Sequence, residues 1–167
     1  MKSAIVPTGI LIGVMCSLWM FTMGFTGWYK NPSHAGAFFL VVLIEVAGLI
    51  WGLRQTAAQG RTYSGQVVAG TLMSIVAGAI IVGASLVFTT VAFPEFFDET
   101  RSAYRWALEQ QGKAESEIAS EMAAWSATQT PLWGAVNGFF GTFVTGVVVS
   151  AVVAVWVRAK PAVHATA

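Results

Sequence analysis

The chain has 167 residues, of which 56% are hydrophobic and only 10% charged, with a net charge of +1. A water-soluble domain carries about 25% charged residues, so this chain has too few to coat a soluble particle of its size. The near-neutral balance also excludes nucleic acid as a partner, because that needs a basic face.

In chain order, the first element is an apolar run over residues 5–25. It is longer than the roughly 7–15 residues of a cleaved leader and reads as a membrane-spanning helix, which needs about 20. Pro7 is tolerated in its first turn. Met15, Trp19, Met20 and Met23 give it a bulky surface suited to packing or lipid contact. Cys16 lies inside the run and, as the lone cysteine, cannot form an internal disulfide. Asn31-Pro32-Ser33 interrupts the chain before a second span over 35–53, with His34 a solvated loop residue. The polar stretch from Arg54 to Ser64 precedes the third and longest span, 67–93. The fourth span covers 132–157. The predicted fold is therefore all-α: a four-transmembrane-helix bundle, one membrane domain over 1–167.

The segment 94–131 is too long for a turn and predicts two short amphipathic helices. Pro94 ends the third span, because the residue before proline avoids helical angles. Glu95 and Asp98 suit a helix N-terminus, and Phe97, Tyr104 and Leu108 recur at near-helical spacing. Gly112 breaks that pattern. A second helix follows, with Ile118, Met122 and Trp125 on its apolar face. Pro131 then opens the fourth span. The segment is a hairpin resting on the headgroups through Phe96, Phe97, Trp106 and Trp125, or a lid or docking surface for a membrane or periplasmic protein.

Charge sets the orientation. With the N-terminus in the cytoplasm, Lys2, Arg54, Arg61, Arg158 and Lys160 all lie inside with no acidic neighbour. Lys30, Arg101, Arg105 and Lys113 lie outside with seven acidic residues. The positive-inside rule favours this N-in, C-in arrangement. Trp28 and Trp133 then fall at the outer interface, and Trp51 and Trp156 at the inner one.

Helices in lipid associate by close packing of small residues and by polar contacts. Gly134, Gly138, Thr142, Gly146, Ser150 and Ala154 recur every fourth residue along the fourth span. Shorter stripes are Gly70, Ser74 and Gly78 on the third span, Gly48 and Gly52 on the second, and Gly9 and Gly13 on the first. Such a stripe packs within the chain or forms a homodimer interface.

Glu45 is the charged residue well inside a span. Placing a charge at mid-membrane costs roughly 2.5–3.5 kcal/mol on insertion scales, so a compensating group is expected. Candidate polar partners include Ser17, Ser74, Asn137 and Thr142. Glu45 either binds a proton or cation on a transport path, or is a neutral acid hydrogen-bonded to a neighbouring helix. His34 and His164 are far apart, no metal-ligand spacing occurs, and no nucleotide, redox or nucleophile motif is present. The reading carries no catalytic residue, no metal and no cofactor.

Several local features resemble a known family. Thr62-Tyr63-Ser64-Gly65-Gln66 followed by Gly70 resembles its approach to the third helix, and Phe93-Pro94-Glu95-Phe96 the segment that leaves it. Gly112 followed by Glu115, Glu117 and Ile118 resembles its outer-loop helix, and Pro131 and Gly141 the start of its last span. The family is the bacterial membrane proteins grouped as domain of unknown function 4199. The resemblance implies four helices in a bacterial cytoplasmic (inner) membrane and no activity. The expected function is a structural or accessory membrane role rather than an enzyme. The alternative is a small proton- or cation-coupled transporter or channel using Glu45.

Overall fold

The structure, a computed structural model, describes residues 4–158. Lys2, Lys160 and His164 lie outside the described residues. Among the described residues six α-helices follow one another: α1 (Ile5–Thr26), α2 (Leu40–Ala57), α3 (Tyr63–Val87), α4 (Phe96–Gln110), α5 (Glu115–Ser126) and α6 (Pro131–Val153). Four helical stretches are long and apolar enough to cross a membrane: Ile5–Thr26, Gly36–Ala57, Tyr63–Ala92 and Pro131–Val153.

The ends of the spans differ from the apolar runs for local reasons. α1 stops where Gly27 takes φ 69°, a left-handed conformation that glycine adopts without strain. Two 3-10 segments, Trp28–Lys30 and Pro32–Phe39, then lead to α2. The second span therefore starts as 3-10 helix and becomes α-helical only at Leu40. It continues past Leu53 to Ala57, because Arg54 in the last turn complements the helix dipole and Thr56 bonds the Leu53 carbonyl at 3.0 Å. α3 starts earlier than the apolar run, at Tyr63, behind the cap residue Thr62. Its span closes with a π-helical turn, Phe88–Ala92, fixed by the Phe93 N–H donating to the Phe88 carbonyl at 2.8 Å. Pro94 prevents further helix. α6 is capped by Thr130, which accepts from the Trp133 N–H at 3.2 Å, and it ends at Val153 rather than 157.

The four long helices form a ring in the order α1, α3, α6, α2, with α3 also touching α2 across the centre. Glycines set the close approaches. Gly9 meets Met73 and Val76, and Gly13 meets Ala77 and Ile80, so α1 and α3 run parallel. Gly48 receives Ile12 and Gly52 receives Thr8, so α1 and α2 are antiparallel. The core contains Ile12, Leu49, Leu53, Ala69, Met73 and Ala77. On α6, Thr142, Gly146 and Ser150 are buried, as is Ala154 just past its end, whereas Phe140, Val144, Val148 and Val152 are exposed on the opposite face. The buried part of the small-residue stripe is thus covered within the chain.

Helices α4 and α5 form a hairpin turned at Gly112, whose φ is 70°. Leu108 and Ile118 are its buried residues, Met122 and Trp125 are half-buried, and Tyr104 stacks on Trp125 at 5.3 Å. Arg105 pairs with Glu109 at 2.9 Å and Glu115 at 2.7 Å, and Lys113 pairs with Glu121 at 2.5 Å. The Ala114 N–H donates to Glu117, which closes the first turn of α5. Phe96 rests against Tyr29 and Phe88, at 5.0 and 5.3 Å, and is half-buried; Trp106 is exposed. His34 is exposed and stacks on Trp28 at 5.6 Å.

Candidate functional site

The polar centre of the bundle lies where α2, α3 and α6 meet. Glu45 on α2 is only 4% exposed and is the charged side chain among the buried described residues. Ser74 on α3 and Ser150 on α6 are fully buried. Their placement follows from the glycine spacing. Ser150 fills the space beside Gly70, and Ser74 fills the space beside Gly146, so each helix lends a hydroxyl to the other's glycine. This reciprocal fit makes α3 and α6 antiparallel and leaves no room for a side chain at either glycine. Glu45 Oε1 borders the same Gly146, where an added Cβ would lie 3.7 Å from it.

Three oxygens in this centre have no hydrogen-bond partner: Glu45 Oε1, Ser74 Oγ and Ser150 Oγ. The serines depart from the habit of this chain. Ser17, Thr22, Thr71, Thr89 and Thr90 each donate to the carbonyl four residues back in their own helix, at 2.6–2.9 Å. Ser74 and Ser150 instead point across the helix interface.

The expected partners of Glu45 thus separate. Ser74 shares the Gly146 surface with it. Thr142 is buried one turn away on α6. Ser17 is occupied by the Gly13 carbonyl at 2.7 Å, and Asn137 lies on the exposed face of α6. Gly134 and Gly138 are half-buried, with ordinary van der Waals space towards Phe97 and Ile81.

A second polar cluster was not singled out from the sequence. Gln66, fully buried at the start of α3, donates through Nε2 to the Leu53 carbonyl at 3.0 Å and to the Val157 carbonyl at 2.7 Å. Its Oε1 accepts from the Thr56 hydroxyl at 2.5 Å. One carboxamide therefore ties α2, α3 and the chain after α6. The available signal was its position: Gln66, Gly70 and Ser74 lie four residues apart on one face of α3, but a span drawn from 67 leaves Gln66 outside.

At the other end of the bundle Glu99 accepts from Tyr29 Oη and from Lys30 Nζ, the latter at 2.6 Å. These two hydrogen bonds, Lys30 first, hold the Glu99 carboxyl below the usual carboxylate range. Burial, then the Glu99 hydrogen bond and charge, push the Tyr29 hydroxyl above the ordinary phenol value. A cleft of about 480 Å³ opens here between the end of α1 and residues 92–99. Another, of about 550 Å³, lies along the hairpin between Arg101 and Ser126. Neither is lined by Glu45, Ser74 or Ser150. Among the described residues no three His, Cys, Asp or Glu side chains come together as a metal site.

Four apolar helices around a buried polar centre define a multi-pass α-helical membrane protein. More particularly, the chain belongs to the family described as protein of unknown function (DUF4199), which matches residues 7–159. The search of curated proteins and the search of solved structures each found no match. The family therefore supplies no catalytic or binding residue to carry over.

Proposed function

We propose that this chain is a non-enzymatic accessory protein of the bacterial cytoplasmic membrane, with both termini inside and the α4–α5 hairpin outside. The observation that carries this reading is the closed packing around Glu45. The carboxyl is 4% exposed, the neighbouring glycines are filled by serine hydroxyls, and neither cleft reaches it. A transport path needs water or a string of sites to the carboxylate, and the glycine surface beside Glu45 is already taken by the Ser74 hydroxyl. The hairpin is the surface a membrane or periplasmic partner would meet. Seven acidic and three basic residues occupy 94–131, and Glu95 there has no ion-pair partner among the described residues.

The rival reading is a small proton- or cation-coupled transporter, and the unpartnered Glu45 Oε1 is what favours it. Flux of protons and of monovalent cations in proteoliposomes, native chain against Glu45→Gln, separates the two. The accessory reading predicts background flux from both. Flux in the native chain that Glu45→Gln abolishes would replace it with the transporter.

A further inference from the structure

We propose that Glu45 is a proton-binding site that exchanges with one side of the membrane only, through the end of the bundle where α2 meets α3. This goes beyond the accessory role and does not rest on it, since a site loaded and emptied from one side produces no net flux.

The ligand follows from the chemistry and the space. Unpaired oxygens buried in an apolar medium need a donor or a positive charge, and no buried Lys or Arg among the described residues supplies one. Hard metal ions take several oxygen ligands, six to eight for calcium. Here α2, α3 and α6 run as unbroken helices through the centre, so their carbonyls are already bonded. The glycine surfaces that an ion would need are filled by the two serines. A proton needs no volume. Bound to the Glu45 carboxyl, it removes the charge from the apolar surroundings, and it leaves by the way it came. The other titratable side chain among the buried described residues is Cys16 on α1, whose thiol donates to the Val41 carbonyl. Ser74 on α3 and Gly146 on α6 bring no charge.

The sidedness follows from what lies above and below. Towards the α2–α3 end a line of buried polar groups continues beside the apolar Leu49, Leu53 and Met73: Ser74, then Ser150 beside Gly70, then Gln66 with Thr56. Each four-residue step along α3 advances about 6 Å. Towards the other end, beyond Thr142, the interior turns aromatic. Phe139 covers Gly78 and stacks on Phe143 at 6.4 Å. Phe88 then packs on Phe21 at 5.4 Å and on Phe93 at 4.6 Å. The Thr89 hydroxyl in that region is tied to the Ser85 carbonyl at 2.9 Å.

The test uses the full chain in vesicles of one orientation, with pH set separately on each side. A lipid-soluble carbodiimide attacks only the protonated carboxyl: the acid's proton passes to the carbodiimide nitrogen as the oxygen bonds its central carbon. Mass spectrometry reads the adduct at Glu45, and Glu45→Gln must show none at that position. Labelling should fall several-fold when pH is raised on the α2–α3 side and stay constant when it is raised on the other. Ser74→Ala and Ser150→Ala lose only an unpartnered hydroxyl, so both should fold and both should blunt the response. Labelling that follows the opposite side, both sides or neither would overturn the proposal. So would labelling suppressed by sodium at constant pH, which would make the site a cation site.

Discussion

Two buried polar clusters sit on the same face of α3, two turns apart, and they are built in opposite ways. Around Gln66 every strong donor and acceptor is matched: two backbone carbonyls and a threonine hydroxyl meet one carboxamide. Around Ser74 three oxygens are left without a partner, where serine side chains fill the glycine surfaces of α3 and α6. A satisfied network in a low-dielectric interior clamps its elements together, while an unsatisfied one costs stability and persists where something else requires it. The Gln66 cluster is thus a structural tie. The Glu45 cluster is where a ligand as small as a proton would act.

The contrast can be broken at several points. The largest effect is expected from Gly146→Leu, which drives a side chain into Ser74 and the Glu45 carboxyl. Overpacking costs about 1–3 kcal/mol and sometimes more, so the variant should unfold well below the native chain in detergent or fail to assemble. Gly141→Leu on the same helix is the control, because no atom lies within 4 Å of its added Cβ. It should unfold near the native temperature. Next is Gln66→Leu. It takes the side-chain donor from the Val157 carbonyl and leaves the Thr56 hydroxyl only the Leu53 carbonyl of its own helix, at about 1–3 kcal/mol for a buried group left unmade. Loosening should appear as faster hydrogen exchange where α2 ends and α3 begins.

The smallest effect concerns the latch between the hairpin and the α1–α2 connection. Glu99 is held below the usual range by Lys30 and Tyr29. Its contribution is therefore complete above the ordinary Glu value of about 4.3 and is lost as pH falls through its lower folded value. An exposed pair of this kind is worth about 1 kcal/mol or less. Exchange at the start of α4 should quicken on acidification, and Glu99→Gln should remove that response. An unchanged response in the variant would mean that another group holds the hairpin.

Much of this architecture is legible in the residues. The four spans follow from apolar length, and the hairpin from Pro94, Gly112 and Pro131. The serine-for-glycine exchange between α3 and α6 is latent in two stripes of period four. The helices run past the apolar stretches where a side chain overrides hydropathy: Thr62 and Gln66 extend α3, and Arg54 and Thr56 extend α2, though all four are polar. The choice of Ser74 over Ser17 or Asn137 beside Glu45 could not be read from spacing. It depends on rotation of each helix about its own axis, which long-range packing sets.

The most direct test sets Ser74→Ala with Ser150→Ala against Gln66→Leu, by thermal unfolding in one detergent. The double serine variant removes two hydroxyls that bond nothing and should unfold at or slightly above the native temperature. Gln66→Leu should unfold clearly below it. A double serine variant destabilised as much as Gln66→Leu would contradict the account, because those hydroxyls would then be structural bonds and the two clusters would be of one kind.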